Sequence, residues 1–146
     1  MGSLASRSSV IFDLDDDGDL DIVTNDFNSQ PQILVSDLAQ RRSISYLKVN
    51  LVGTKSNRDG LGAKVTVSAG ALKITKTQDG KSGYLSQSVL PLYFGLGDAK
   101  RVDSIEVRWP SGYQQTELNP KVNSTVKILE GPTKTGKRTE TSRENH

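Results

Sequence analysis

From Tyr46 onward, apolar and polar residues alternate with a period of two, the signature of strands with one face buried. Leu47, Val49 and Leu51 share a face, with Lys48 and Asn50 opposite. The same alternation places Val65, Val67 and Ala69 together, then Leu72 and Ile74 against Lys73 and Thr75, then Leu92, Phe94 and Leu96. The clearest strand runs from Val102 to Trp109, with Ile105, Val107 and Trp109 inward and Glu106 and Arg108 outward. Tyr113 to Leu118 and Ser124 to Leu129 supply the closing strands. Turn residues separate these runs: Asp59-Gly60, Ala69-Gly70-Ala71, Asp79-Gly80 and Pro110-Ser111-Gly112. Short strands punctuated by turns, with no convincing helical period, predict an all-β fold, an antiparallel β-sandwich over residues 44–131. Upstream, Val10-Ile11-Phe12, Leu20 to Thr24 and Gln32 to Val35 read as further short strands within residues 10–43. Residues 1–9 read as a flexible leader, and residues 132–146, almost without apolar groups, as a disordered tail.

Between the first two of those upstream strands lies Asp-Leu-Asp-Asp-Asp-Gly-Asp-Leu-Asp, residues 13–21. Asp13, Asp15, Asp17 and Asp21 occupy loop positions 1, 3, 5 and 9, with Gly18 at position 6 for the sharp turn and the backbone carbonyl of Asp19 at position 7. Carboxylates this close repel one another unless a cation neutralises them, and the spacing suits Ca2+. Mg2+ fits less well, because it keeps several waters and takes fewer protein oxygens. An EF-hand fails at its edges: Thr24 stands where a bidentate Glu is required, and the β-branched flanks are strands rather than helices.

Composition narrows the chemistry further. The chain of 146 residues carries a net charge of +2. That balance conceals an asymmetry. Residues 1–26 hold Arg7 against seven aspartates, a charge of −6, so the remainder carries +8. No basic stripe interleaved with aromatics accompanies that excess, which argues for solubility over nucleic-acid binding. Cysteine is absent and the single histidine is His146, which removes thiol chemistry and the usual zinc sites and leaves little room for histidine acid–base catalysis. No apolar run reaches the ~18 residues that a membrane span needs, and the first nine residues lack an export signal's apolar core. Gly95-Leu96-Gly97 reads as a strand end rather than a phosphate loop, since no helix start and no third glycine follow. Trp109 with Tyr113 reads either as core, in phase with Ile105 and Val107, or as an aromatic platform for a sugar or partner. Gly83 to Gln87 is open between a binding edge and a structural loop. Asn123-Ser124-Thr125 is a glycosylation sequon in a eukaryotic secretory setting.

Two resemblances add to this reading. Phe12 to Val23 resembles the calcium loop of an FG-GAP or VCBS repeat, a unit of integrin-type β-propellers, which implies that residues 10–43 are a partial propeller blade. Leu51 to Val65, Gly83 to Ser88, Tyr93 to Gly97 and Val107 to Gly112 together resemble the ASPIC/UnbV domain, in matching order and spacing. The resemblance implies an extracellular or cell-envelope protein of the cartilage acidic protein type, or a bacterial relative, some of which are associated with enediyne gene clusters. It brings no catalytic residue, and at Tyr93 this chain departs from a commonly found His. The metal ligands it implies are Asp13, Asp15, Asp17, the Asp19 carbonyl and Asp21. The expected function is a calcium-binding, non-catalytic binding or adhesion module, a fragment of a larger propeller-containing protein, that meets a protein or glycan partner. Nucleic acid and a membrane span are not expected, and exposed strand edges offer a route to self-association. The alternative is an accessory factor or metal-dependent enzyme fragment in a biosynthetic pathway. Residues 10–43, marginal alone, are expected to dock on the sandwich, fray or pair with another chain.

Overall fold

The computed structural model describes residues 6–82 and 87–131, so the expected tail 132–146 and most of the Gly83–Gln87 stretch lie outside the described residues. Three sheets form. The first orders β1 (Ser6–Phe12), β2 (Asp21–Asp26) and β3 (Gln32–Leu34) as an antiparallel meander. The second orders β10 (Ser124–Leu129), β4 (Tyr46–Val52) and β7 (Leu92–Gly95), and the third orders β6 (Leu72–Thr77), β5 (Lys64–Ala69), β8 (Ser104–Arg108) and β9 (Gln114–Leu118). A single-turn helix, α1 (Leu38–Arg41), lies in the segment between the meander and β4. β1 begins at Ser6, inside the stretch read as a leader, because Ser6 to Ser9 pair with Thr24 to Asp26.

The second and third sheets share one apolar core. Leu47, Val49, Leu51, Phe94 and Ile128 come from one sheet and Val65, Val67, Ala69, Ile105 and Val107 from the other, in the alternating phase read from the sequence. Trp109 is 2% exposed, so of its two readings the structure selects core. Its Nε1 donates to Gln115 Oε1 at 2.7 Å, and Gln115 Nε2 donates to the Leu129 carbonyl at 3.0 Å, a polar tie between the two sheets. Tyr113 is half-buried against the same core. β6 is an edge strand, and of Leu72 and Ile74 only Ile74 packs on the core.

The sheets are antiparallel but for β10, which runs parallel to β4. The chain reaches β10 from the opposite sheet, and Asn123, with φ 55°, turns it into place. The Asn123 Oδ1 accepts the Tyr46 N–H at 2.9 Å and the Asn123 N–H donates to the Tyr46 carbonyl at 2.8 Å, aligning the starts of both strands. The Asn123 amide of the sequon is thus engaged in the fold.

At the far end of β10, Glu130 is 3% exposed and clasps two loops. Its Oε2 accepts the backbone N–H groups of Thr54, Lys55 and Ser56 at 2.8, 2.8 and 2.7 Å, and its Oε1 accepts the Ser56 hydroxyl at 2.9 Å and the Ser111 hydroxyl. Burial works against the charged carboxylate. The hydrogen bonds from Ser111, Ser56 and Thr54 outweigh it and bring its pKa from 4.5 down to about 2.

Candidate metal centre

The acidic loop is the hairpin connection between β1 and β2, which excludes helical EF-hand flanks. Asp13, Asp15 and Asp21 each offer a carboxylate oxygen, and these oxygens lie within 4.8 Å of one another. Two oxygens bound to one Ca2+ at about 2.3–2.6 Å are at most ~5 Å apart, so the three carboxylates can share one ion. The Asp13 side chain is 1% exposed, and its Oδ1 is buried with no hydrogen-bond partner among the described residues. A buried carboxylate oxygen without a donor is costly, and a hard cation is the partner that chemistry supplies. The donor set therefore fits calcium.

The other predicted ligands are placed differently. Asp17 is exposed and its carboxylate lies outside that trio; its Oδ1 accepts the Asp19 N–H at 3.0 Å. That bond favours the charged form, yet desolvation and repulsion from Asp15, Asp19 and Asp13 leave the Asp17 pKa raised. Asp19 was assigned through its carbonyl, but its side chain also works: Oδ2 accepts the Ala39 N–H of α1 at 2.8 Å, and Oδ1 is buried without a partner among the described residues. Asp21 braces the loop, since Oδ2 accepts the Leu14 N–H at 2.7 Å and Oδ1 the Ser36 N–H at 2.8 Å. Each oxygen retains a second lone pair.

The loop does not stand alone. It lies on the outer face of the β10-β4-β7 sheet, opposite the core face of β4. Lys48 Nζ is 2.7 Å from Asp13 Oδ2 and 2.6 Å from Asp16 Oδ1. Tyr93 donates its hydroxyl to the Gly18 carbonyl at 2.7 Å, and its ring stacks on Tyr46 at 5.7 Å. Burial first, then the charges of Asp13, Tyr46 and Asp19, raises the Tyr93 pKa and keeps it a donor. Of the outcomes expected for residues 10–43, docking is the one that the geometry displays. In the sequence Lys48 is only an outward strand position, and Tyr93 only a departure from a family pattern.

Gly18 is required twice over. Its φ is +98°, and an added Cβ would lie 2.3 Å from the Tyr46 ring. Gly18→Ala is expected to lift the loop from the sheet and so to weaken any calcium binding at Asp13, Asp15 and Asp21 by roughly tenfold or more. Titration calorimetry of the variant checks this, and an unchanged affinity would contradict the packing argument.

Two clefts open where loop and sandwich meet. One, of about 200 Å³, is lined mainly by Ile11, Phe12, Leu20, Leu90 and Pro91. The other, of about 580 Å³, has Leu38, Arg42, Ser43, Ser45 and Asp98 in its wall.

With this geometry in place, the chain proves similar to known proteins. The family model described as ASPIC and UnbV matches residues 53–135. Cartilage acidic protein 1 of Mus musculus is 35% identical over 127 residues, covering 82% of this chain and 19% of that protein. The chain thus spans about a fifth of the length of that curated relative, 19%.

Proposed function

This chain belongs to the ASPIC and UnbV family, and from that premise we propose that it is a calcium-binding, non-catalytic binding or adhesion module of a longer extracellular protein. The observation that carries the reading is the convergence of Asp13, Asp15 and Asp21 within 4.8 Å around a buried, unpartnered Asp13 oxygen. The role of the ion is structural. It would be held by Asp13, Asp15 and Asp21, completed by the carbonyl of Asp19, and would neutralise a loop whose carboxylates otherwise repel. The larger cleft, with Arg42 and Asp98 at its wall, gives a protein or glycan partner a place to dock.

The meander supports the finer reading of an FG-GAP/VCBS-type partial blade. Ile33 and Leu34 point to opposite faces of the sheet, yet they are 59% and 53% exposed. Ile11, Ile22 and Leu34 line up across one face in register. A sheet apolar on both faces suits a position between two neighbours, as in a propeller. The relative named for cartilage supports a place outside the cell.

Calcium at a hundredfold excess over Kd is expected to stabilise the N-terminal hairpin by about 2.7 kcal/mol, and the sandwich less, because it binds only the folded loop. Melts with calcium and with chelator, beside calorimetry, test this. Superimposable melts and no heat of binding would refute the calcium reading.

A further inference from the structure

We propose that Lys48 is a built-in counter-cation of the acidic loop: an ammonium supplied by the sandwich that keeps the loop docked when no metal is bound. This rests on the calcium reading of the loop and concerns what governs it.

Residues 13–21 contain six aspartates and no basic residue, so within the loop nothing offsets its charge. The offset comes from a strand remote in sequence. Lys48 stands on β4 between Leu47 and Val49, whose side chains enter the core, so its own side chain leaves by the outer face on which the loop lies. The side chain is 12% exposed, its Nζ passes 5.4 Å from the Tyr46 ring centroid, and it ends between Asp13 Oδ2 and Asp16 Oδ1. An ammonium so enclosed is costly unless paired, and here two carboxylates pair it. Burial lowers the Lys48 pKa and the two partners more than restore it.

Asp13 is thereby divided between two tasks. Its Oδ2 accepts from Lys48 and, at 2.9 Å, from the Gly18 N–H, while Oδ1 is left buried and unpartnered. One oxygen fastens the loop to the sandwich and the other is kept for a cation. Asp16, with φ 62°, takes a left-handed turn that places its carboxylate against Lys48 and outside the ligand trio. Two further contacts between loop and sheet, Tyr93 on the Gly18 carbonyl and Tyr46 against Gly18, are uncharged. They do nothing to relieve repulsion among carboxylates. Lys48 does, and calcium would do so more fully.

Docking is therefore expected to be independent of metal in the native chain and dependent on it once the ammonium is removed. The test compares the native chain with K48M and K48R by hydrogen exchange of the amides of residues 14–21, each in chelator and in calcium, with calorimetry of calcium binding alongside. In chelator the native loop should be protected, K48M should lose at least tenfold in protection, and K48R should retain most of it. Calcium should restore K48M. Equal protection of K48M and the native chain in chelator would overturn the proposal. So would a K48M loop that binds calcium by calorimetry and still stays unprotected, because Lys48 would then be a prop rather than a charge. If the native chain binds no calcium, the metal reading fails, and the chelator comparison of K48M with K48R still decides whether the ammonium holds the loop.

Discussion

Glu130→Ala is expected to destabilise the sandwich by about 3 kcal/mol, the scale of removing a buried charged acceptor and leaving its donors unpaired. Three consecutive backbone N–H groups and two hydroxyls converge on this carboxylate, and cutting it away removes the acceptor that all five share. For a domain of this size that corresponds to a fall in Tm of roughly 10–20 °C. Glu130→Gln keeps one acceptor oxygen but turns an amide N–H2 toward other donors, so about half the loss should persist. The pH dependence gives a second readout. The folded pKa, about 2, lies below the ordinary value of 4.5, so the native carboxylate binds its proton less readily than the unfolded one. Its contribution is fully present above pH 4.5 and is lost as pH falls toward 2. Urea unfolding at neutral pH and near pH 2 should show the gap between native and Gln variant closing at acid pH. A gap that stays constant, or an Ala variant as stable as the native chain, would show that the clasp carries little energy.

Much of this architecture was legible from alternation alone, because a period of two fixes which residues share a face. Leu47, Val49 and Leu51, and Ile105, Val107 and Trp109, enter the core as read, and β10 occupies the residues expected of it. Alternation does not encode depth or direction. Leu72 was in phase with Ile74, yet lies exposed on an edge strand, and nothing in Ser124 to Leu129 signals that this strand pairs parallel to β4. Glu130 could have been suspected: it continues the inward phase of Val126 and Ile128, and a carboxylate in an inward register must find donors. Those donors are mostly backbone N–H groups of the loop after β4, and no side-chain pattern announces them.

The acidic loop divides in the same way. Its spacing located the carboxylates but could not tell which would converge, and the structure gathers Asp13, Asp15 and Asp21 while Asp17 bonds within its own turn. Lys48 was beyond reach of the sequence, since an outward lysine on a strand is ordinarily solvated. Only the docked loop gives it partners.

Deleting residues 1–43 is expected to leave the sandwich folded. Among the described residues, every buried apolar residue of the core lies between Leu47 and Ile128, and both sheets of the sandwich begin at or after Tyr46. The deletion uncovers Tyr46, Lys48 and Tyr93, whose polar ends accept water without opening the core. The amide spectrum of the truncated chain should stay dispersed, with shifts that change mainly near residues 46–48 and 90–95. An isolated fragment of residues 1–43 should be largely unfolded, because three short strands with apolar groups on both faces cannot bury either face alone. The asymmetry follows from where the contacts lie: the hairpin depends on the sandwich for Lys48, Tyr46 and Tyr93, whereas among the described residues the sandwich takes no core residue from the hairpin. A collapsed spectrum for the truncated chain would instead make the acidic hairpin an integral part of one cooperative fold.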